Sequence, residues 1–183
     1  MSRRRRAVKR PVHPDAKYES VLVTRLVHMV MEDGKKSVAQ GVVYGAFDIL
    51  SAKQKDTSPL EILQRAVDNA KPRLEVKPRR VGGATYQVPL EVTSERSASL
   101  AVRWLVKFAS AKKGQPMKNA LANEIMDAYQ GQGSSIRRRD EVHKMAQSNK
   151  AFAHFRSVKN GAGQPNRFGL TIFGSAGVIK MTF

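Results

Sequence analysis

The chain has 183 residues, 41% of them hydrophobic, and its 33 Lys and Arg residues outnumber 15 Asp and Glu residues to give a formal net charge of +18. This length suits one domain with a real core, and the charge favours polyanionic partners, nucleic acid before anionic membranes. Because cysteine is absent, disulfides, thiolate metal sites and cysteine nucleophiles are excluded. No membrane span is predicted, since the most apolar run, residues 21–31, is short and is interrupted by Arg25 and His28.

The first 14 residues are strongly basic. They contain no acidic residue, and their basic residues are Arg3, Arg4, Arg5, Arg6, Lys9 and Arg10. Because like charges at this density repel, residues 1–14 are predicted to be a disordered tail when the chain is alone. Guanidinium groups match phosphate oxygens in shape and charge, so the tail is predicted to bind nucleic acid. A solubilising tail and an Arg-rich organelle transit peptide are the alternatives.

Three amphipathic helices are predicted after this tail. Ser20 is a candidate cap for the first, which stops near Gly34, and the second begins near Ser37. Ser58-Pro59-Leu60-Glu61 is typical of a capping box and opens the third helix, which must stop before Pro72. Apolar residues at helical spacing predict the buried faces. They are Leu22, Leu26, Met29 and Val30 in the first helix, Ala39, Val42, Val43, Ala46, Phe47 and Leu50 in the second, and Leu63, Ala66, Val67 and Ala70 in the third.

Residues 73–92 predict a long β-hairpin. Apolar residues alternate with polar ones along both arms, and Gly82-Gly83 supplies the positive φ values of a tight turn. Pro78 and Pro89 each remove a ladder donor, so neither arm suits the middle of a larger sheet. The outgoing arm is basic and carries Arg73, Lys77, Arg79 and Arg80 against the single Glu75. We therefore expect an arm that binds a partner outside the chain, with a hairpin packed on its own domain as the alternative.

Three more helices are predicted beyond the hairpin. Ser97 is a candidate cap for the fourth, Pro116 opens the fifth, and the sixth runs from about Ser135 to Phe155. Their apolar faces are Leu100, Ala101, Trp104, Leu105 and Phe108, then Met117, Leu121, Ile125 and Ala128, then Val142, Met145, Ala146 and Ala153. The basic residues predicted to point away from these faces are Arg103 and Lys107 on the fourth helix, and Arg137, Arg138, Arg139 and Lys144 on the sixth. Lys112 and Lys113 at the end of the fourth helix add to the cationic surface.

The predicted fold class is mainly α. It is a six-helix single domain over residues 15–156 with a protruding two-stranded β-hairpin arm, a basic N-terminal tail and an irregular C-terminal tail. This last segment, residues 157–183, is a glycine-rich extension without acidic residues.

No pattern in the sequence indicates catalysis. Gly34-Lys35-Lys36-Ser37 lacks the upstream glycine of a phosphate-binding loop. The histidines His13, His28, His143 and His154 lack metal-ligand spacing. We therefore predict that the protein is not an enzyme and takes no metal, cofactor or small-molecule substrate. What remains is a distributed cationic surface, and the low aromatic content of 7% favours recognition of the shape and backbone of a folded RNA over base stacking.

Three motifs together resemble a known family. The first is Ser20, Leu22 and Leu26-Val27 followed by Gly34-Lys35-Lys36, Val42-Val43 and Ala46; the second is Val76-Lys-Pro-Arg-Arg-Val-Gly-Gly-Ala-Thr-Tyr-Gln-Val-Pro89; the third is His143-Lys-Met-Ala146 with Asn149-Lys-Ala-Phe-Ala-His-Phe-Arg156. Over residues 2–156 the chain resembles the seventh small-subunit ribosomal protein family of bacterial type. It departs from many members at Ser157, where they have tryptophan, and its tail to Phe183 matches no known pattern.

The resemblance implies a six-helix fold with a protruding ribbon, primary binding to small-subunit rRNA and nucleation of the subunit head near the decoding region. It implies exit-site tRNA and neighbouring small-subunit proteins as further partners, on a cytoplasmic ribosome, with an organellar ribosome as the alternative. The implied rRNA contacts are Arg3, Arg4, Arg5, Arg6, Lys9, Arg10, Lys35, Lys36, Lys77, Arg79 and Arg80, to which the residues themselves add Lys112 and Lys113. The implied tRNA-side residues are Gly82, Gly83, Arg137, Arg138, Arg139 and Lys144.

Two other classes of function fit the same charge. One is an RNA-modifying or RNA-cleaving enzyme that uses its basic face to hold substrate. The other is a DNA-compacting basic protein, which predicts comparable affinity for duplex DNA.

Overall fold

The computed structural model describes residues 10–157, and residues 1–9 and 158–183 lie outside it. Helices predominate in the described range. In chain order the elements are α1 (Val21–Val30), α2 (Lys36–Lys53), α3 (Pro59–Ala70), β1 (Leu74–Val81), β2 (Ala84–Glu91), α4 (Ser94–Ala111), α5 (Met117–Tyr129), α6 (Ser134–Ser148) and a 3-10 helix (Lys150–Ser157). The predicted six-helix body with one β-hairpin is confirmed.

The fifth helix is the centre of the body. It packs against α2, α3, α4 and α6, and its Leu121 and Ile125 are completely buried. These residues stand four apart and therefore share one helix face. Burying each such side chain stabilises the fold by about 1.5–3 kcal/mol. The predicted stripe of α5 is thus part of the core.

Two of the predicted helix caps are confirmed, and one is wrong. The Ser20 hydroxyl accepts a hydrogen bond from the Leu22 amide at 3.3 Å, and the Ser58 hydroxyl accepts one from the Glu61 amide at 3.2 Å. Ser97 is not a cap, because α4 already begins at Ser94. Ser97 is buried in the first turn and donates to the Pro72 carbonyl at 2.8 Å, which ties α4 to the end of α3.

The buried face of the first helix differs from the prediction. Val23, Leu26 and Val27 are at most 1% exposed, whereas Met29 is 36% exposed. The apolar residues of this short helix support two overlapping stripes, and contacts with α2 and α4 select the one that contains Val23 and Val27. Periodicity alone does not distinguish such stripes.

The predicted sixth helix consists of two elements. The α-helix stops at Ser148, and a 3-10 helix continues to Ser157. The Asn149 side-chain amide donates to the Met145 carbonyl at 2.8 Å, and such local side-chain bonds compete with continuation of a helix. Met145, predicted to face inward, is 42% exposed, while Val142 and Ala146 are buried as predicted.

The hairpin has the predicted turn at Gly82 and Gly83. Its strands pair antiparallel from Leu74↔Glu91 to Val81↔Ala84, and Gly82 and Gly83 have φ values of 58° and 90°. Positive φ at both turn positions matches the twist of the strands and favours glycine. Both strands also contact α6, and β2 contacts the 3-10 helix. The inner part of the arm therefore packs on its own domain, which is the alternative considered above.

Candidate nucleic-acid interface

The segment after the basic tail is held against the first two helices. The Tyr44 hydroxyl of α2 donates to the Asp15 carboxylate at 2.9 Å, and Asp15 is only 7% exposed. Thr24 of α1 donates to the His13 carbonyl at 2.9 Å. Burial and the hydrogen bond to Asp15 raise the pKa of Tyr44, so its phenol stays protonated and keeps donating. The tail predicted over residues 1–14 therefore has a defined path from residue 10 onward; Arg3, Arg4, Arg5, Arg6 and Lys9 lie outside the described residues.

Fixing this segment brings two predicted contacts together. Arg10, His28 and Lys36 line one cleft of about 420 Å³ between the N-terminal segment, α1 and α2. No side-chain hydrogen bond or ion pair joins Lys36 to any other residue in the range 10–157. Its charge therefore faces an open cleft.

The turn before α2 presents the neighbouring Lys35. Asp33 and Gly34 adopt positive φ values of 51° and 73°, a conformation that glycine adopts easily and aspartate more readily than most residues. The Lys35 ammonium lies 3.8 Å from the Asp33 carboxylate, and their side chains are 70% and 82% exposed. A surface pair of this kind contributes between nothing and about 1 kcal/mol, so Lys35 is readily available to a stronger anion.

The base of the hairpin contains a small charge network. Glu75 is 12% exposed and binds Lys77 at 2.9 Å and Arg96 of α4 at 2.7 Å. Burial alone would raise the pKa of Glu75, but its bonds to Lys77 and Arg96 outweigh that effect and lower it. Half of the Lys77 side chain remains exposed. The network fixes the arm to α4 and partly neutralises Lys77.

Arg79 and Arg80 lie on opposite faces of the arm. Arg79 is the ladder partner of Tyr86, whose ring lies 5.2 Å from that of Phe152 and 5.1 Å from that of Phe155 in the 3-10 helix. Arg79 also donates to the Phe155 carbonyl at 3.3 Å. Arg80 is exposed, and no other described residue in the range 10–157 bonds to its side chain.

Lys112 has a structural position that sequence reasoning did not foresee. Its ammonium lies 2.9 Å from Glu124, which is fully buried, and 3.5 Å from Asp127. The other oxygen of Glu124 accepts from both the amide and the hydroxyl of Ser135, at 3.0 and 2.8 Å. Burial would raise the pKa of Glu124, yet the bonds from Lys112 and Ser135 lower it below its ordinary value. Lys112 is therefore only partly available to a phosphate, with 30% of its side chain exposed, whereas Lys113 is exposed.

The three arginines of α6 are used differently. Arg138 bonds to Glu141 at 3.0 Å, and Arg139 pairs with Asp140 at 2.7 Å and also donates to the Asn69 carbonyl at the end of α3. This is the local charge balance typical of a helix surface. Arg137 is exposed, so it is the member of the triplet that faces solvent without such a partner among residues 10–157.

His143 supports the arm from the sixth helix. The Arg73 amide donates to its Nε2 at 2.9 Å, so this nitrogen must be unprotonated. Burial lowers the pKa of His143, and the positive charges of Arg139 and Arg73 lower it further, against an opposing effect of Asp140. The neutral imidazole is thereby maintained at the base of the hairpin, next to the start of β1.

The residues implied for the tRNA side lie on two elements, the turn of the hairpin and α6. Gly82 and Gly83 are exposed at the end of the arm, and Lys144 is exposed on α6. The arm and the end of α6 are joined through the 3-10 helix, where Tyr86 packs.

The link from Asp15 to Tyr44 was missed because no sequence pattern connects residues 29 positions apart.

The described part of the chain contains no group of three or more His, Cys, Asp or Glu side chains that could hold a metal ion. Within the same residues, no helix is both long and apolar enough to cross a membrane. The open cationic groups can bind phosphate by charge and hydrogen bonding.

Comparisons with known proteins give a consistent result. The family model described as ribosomal protein S7p/S5e matches residues 2–150. A Thermotoga neapolitana protein named small ribosomal subunit protein uS7 is 57% identical over 154 residues, which cover 84% of this chain and 99% of the relative. Proteins of the same name from Akkermansia muciniphila and Thermotoga maritima are each 56% identical, over 85% and 84% of this chain and 99% of each relative.

Proposed function

The chain belongs to the ribosomal protein S7p/S5e family, which is not an enzyme family, and from this premise we propose that it is a structural constituent of the small ribosomal subunit that binds rRNA directly. We propose further that it is a primary rRNA-binding protein that nucleates assembly of the subunit head, near the decoding region.

One observation carries this proposal. Arg10 and Lys36 line the same cleft, and Lys36 is the first residue of α2. A helix N-terminus favours anions, because its free amides and dipole are positive. The first turn of α2 contains no acidic residue. The Asp15 carboxylate also lines the cleft, but it already accepts a hydrogen bond from Tyr44. A phosphate group is therefore the natural partner of this corner, and the four arginines and one lysine that precede Arg10 in the sequence add further positive charge.

The arm supplies the second proposed rRNA contact. Arg80 and the exposed part of Lys77 are suited to phosphates, as is Lys113 at the end of α4. Lys112 is withdrawn from the proposed contacts because its ammonium neutralises buried Glu124. Arg79 stays a weaker candidate because it already bonds to the 3-10 helix.

For the tRNA side we propose the exposed end of the arm at Gly82 and Gly83, together with Arg137, Arg138 and Lys144. Neighbouring small-subunit proteins are proposed to contact the same flank. Arg139 is a weaker candidate, since it holds α6 to α3. We propose that the protein belongs to cytoplasmic ribosomes, with an organellar ribosome as the alternative. Fractionation of cells that contain the protein would distinguish the two.

Binding of the full-length protein to a head-domain rRNA fragment, measured over a salt series, tests the proposal. Contacts to roughly six to ten phosphates predict a loss of about a thousand- to hundred-thousand-fold in affinity between about 50 and 200 mM salt. Unrelated structured RNA of equal length and duplex DNA are the controls. A flat salt response, or equal affinity for the controls, would contradict rRNA binding and favour a non-specific basic protein.

A further inference from the structure

A groove between α4 and α6 combines aromatic rings with cationic side chains. Its volume is about 540 Å³, within the range of ordinary ligand sites. The lining residues are Arg103, Trp104, Lys107 and Phe108 from α4, and Ser134, Arg137, Arg138 and Glu141 from α6.

The aromatic wall differs from the core stripe that periodicity predicts. Trp104 and Phe108 are four residues apart and therefore share one face of α4. Both are partly exposed, whereas Ala101, Leu105 and Ala109 of the same helix are buried. The two rings thus stand at the edge of the core, and they contribute to the surface of the groove.

The cationic side chains at the groove are largely unneutralised. Arg138 is bonded to Glu141 at 3.0 Å, and these two charges offset each other. Arg103, Lys107 and Arg137 are exposed, and their side chains have no hydrogen bond or ion pair to any other residue between 10 and 157. Three positive charges therefore remain around two aromatic rings, an arrangement that attracts a polyanion with flat apolar groups.

Both walls are fixed by the buried cluster described above. Lys112 directly follows the last residue of α4 and binds Glu124 of α5. Glu124 in turn accepts two hydrogen bonds from Ser135 in the first turn of α6. The spacing of α4 and α6 is thus set before any ligand arrives, which reduces the ordering cost of binding.

We propose that this groove binds an unpaired nucleotide of an RNA strand, with the base stacked on Trp104 and the flanking phosphates on Arg103, Lys107 and Arg137. Unpaired bases stack on aromatic side chains, and each stacked base contributes substantially to affinity. This site deepens the proposed rRNA binding and rests on it for the identity of the RNA. It also departs from the expectation that base stacking plays no part in recognition.

The chain contains a single tryptophan and four tyrosines, so fluorescence of the full-length protein excited selectively at the tryptophan reports on this groove. Titration with an oligouridine of roughly ten nucleotides is expected to quench that fluorescence in a saturable way. An abasic oligonucleotide of the same length has the same phosphates without bases, and polyglutamate is an acidic polypeptide. Equal quenching by either control would overturn the proposal, in favour of a charge effect or an acidic protein partner.

Variants separate stacking from charge. With a dye-labelled oligouridine, Trp104→Leu is expected to weaken binding about ten-fold, while Trp104→Phe retains most of it. Lys107→Ala is expected to lower the slope of log affinity against log salt by about 0.7, and Lys55→Ala, an exposed lysine outside the groove, to leave it unchanged. Thermal unfolding verifies that each variant is folded.

The outcomes distinguish this site from the proposed function. If the oligouridine fails to quench the tryptophan while the head-domain rRNA fragment still binds with a steep salt dependence, the groove proposal is wrong and rRNA binding stands. Loss of both signals would contradict both. Equal effects of Trp104→Leu and Trp104→Phe would also overturn stacking.

Discussion

Lys36 and Lys112 are lysines at the boundaries of two helices, yet their surroundings differ completely. Lys112 follows α4 and neutralises a buried carboxylate at 2.9 Å. Lys36 begins α2, where the helix dipole disfavours a cation, and it faces an open cleft beside Arg10. The first arrangement stabilises the body. The second leaves positive charge exposed and slightly destabilises the start of α2. The net charge of +18 is therefore a poor guide to binding unless each cation is matched against nearby carboxylates.

The largest expected loss of stability comes from a change at the junction of α4, α5 and α6. Lys112→Ala leaves the Glu124 carboxylate buried without its cation, so the free energy of unfolding is expected to fall by about 3 kcal/mol. Denaturant titration measures the change. Lys113→Ala, which removes the same charge from an exposed neighbour, is the control and is expected to change stability little. Equal losses for the two variants would mean that the buried pair has no special role.

A smaller effect is expected at the N-terminal anchor. Tyr44→Phe removes the hydroxyl that bonds to Asp15, so the free energy of unfolding is expected to fall by about 1–2 kcal/mol. Because the segment also positions Arg10, affinity for the head-domain rRNA fragment is expected to fall as well. Tyr129→Phe is the matched control, since its ring packs under Arg65. Normal rRNA affinity in a destabilised Tyr44→Phe protein would show that the anchor does not organise the RNA site.

His143 at the base of the hairpin predicts that the free energy of unfolding depends on pH. The pKa of folded His143 lies below the ordinary 6.5, so the unfolded chain takes up the proton first. The stabilising effect is therefore present above pH 6.5 and is lost as the pH falls toward the lowered folded value. His143→Gln keeps an acceptor for the Arg73 amide without titrating. We expect the wild type to lose more unfolding free energy than this variant between about pH 7 and pH 5. Parallel curves of unfolding free energy against pH for the two proteins would contradict a stabilising role of neutral His143.

The smallest change in stability is expected at Arg80. Arg80→Ala removes an exposed side chain, so unfolding is expected to be unaffected while rRNA affinity falls. Arg79→Ala removes the same charge one residue earlier, but it also breaks the bond to the 3-10 helix and is expected to cost about 1 kcal/mol. If Arg79→Ala lowered rRNA affinity without changing stability while Arg80→Ala lowered stability, the face of the arm that carries Arg79 would be the one that binds RNA.

Much of the architecture was accessible from the sequence because it depends on local patterns. The glycine pair at 82–83 and the alternation around it specify the hairpin, and Ser20 and Ser58 specify two helix starts. The resemblance to the family of small-subunit proteins identified the fold and is confirmed by the match over residues 2–150.

The pairing of charges was not accessible in this way. Lys112 and Glu124 are separated by a turn and most of a helical segment, and Tyr44 reaches back 29 residues to Asp15. Such contacts depend on how the helices pack against one another, and the periodicity of a single helix does not specify that packing. For the same reason, Trp104 and Phe108 were predicted to be core, although they stand at its edge beside unneutralised cations.

The most direct test of the account compares two double variants that each remove two positive charges. Lys36→Ala with Arg80→Ala removes cations that have no partner among the described residues, and Arg79→Ala with Arg139→Ala removes cations that bond within the body. For binding to the head-domain rRNA fragment, the first pair is expected to lower the slope of log affinity against log salt by about 1.8, since each phosphate contact contributes about 0.9. The second pair is expected to leave the slope nearly unchanged. Equal reductions would contradict the claim that the unpartnered cations are the ones that bind RNA.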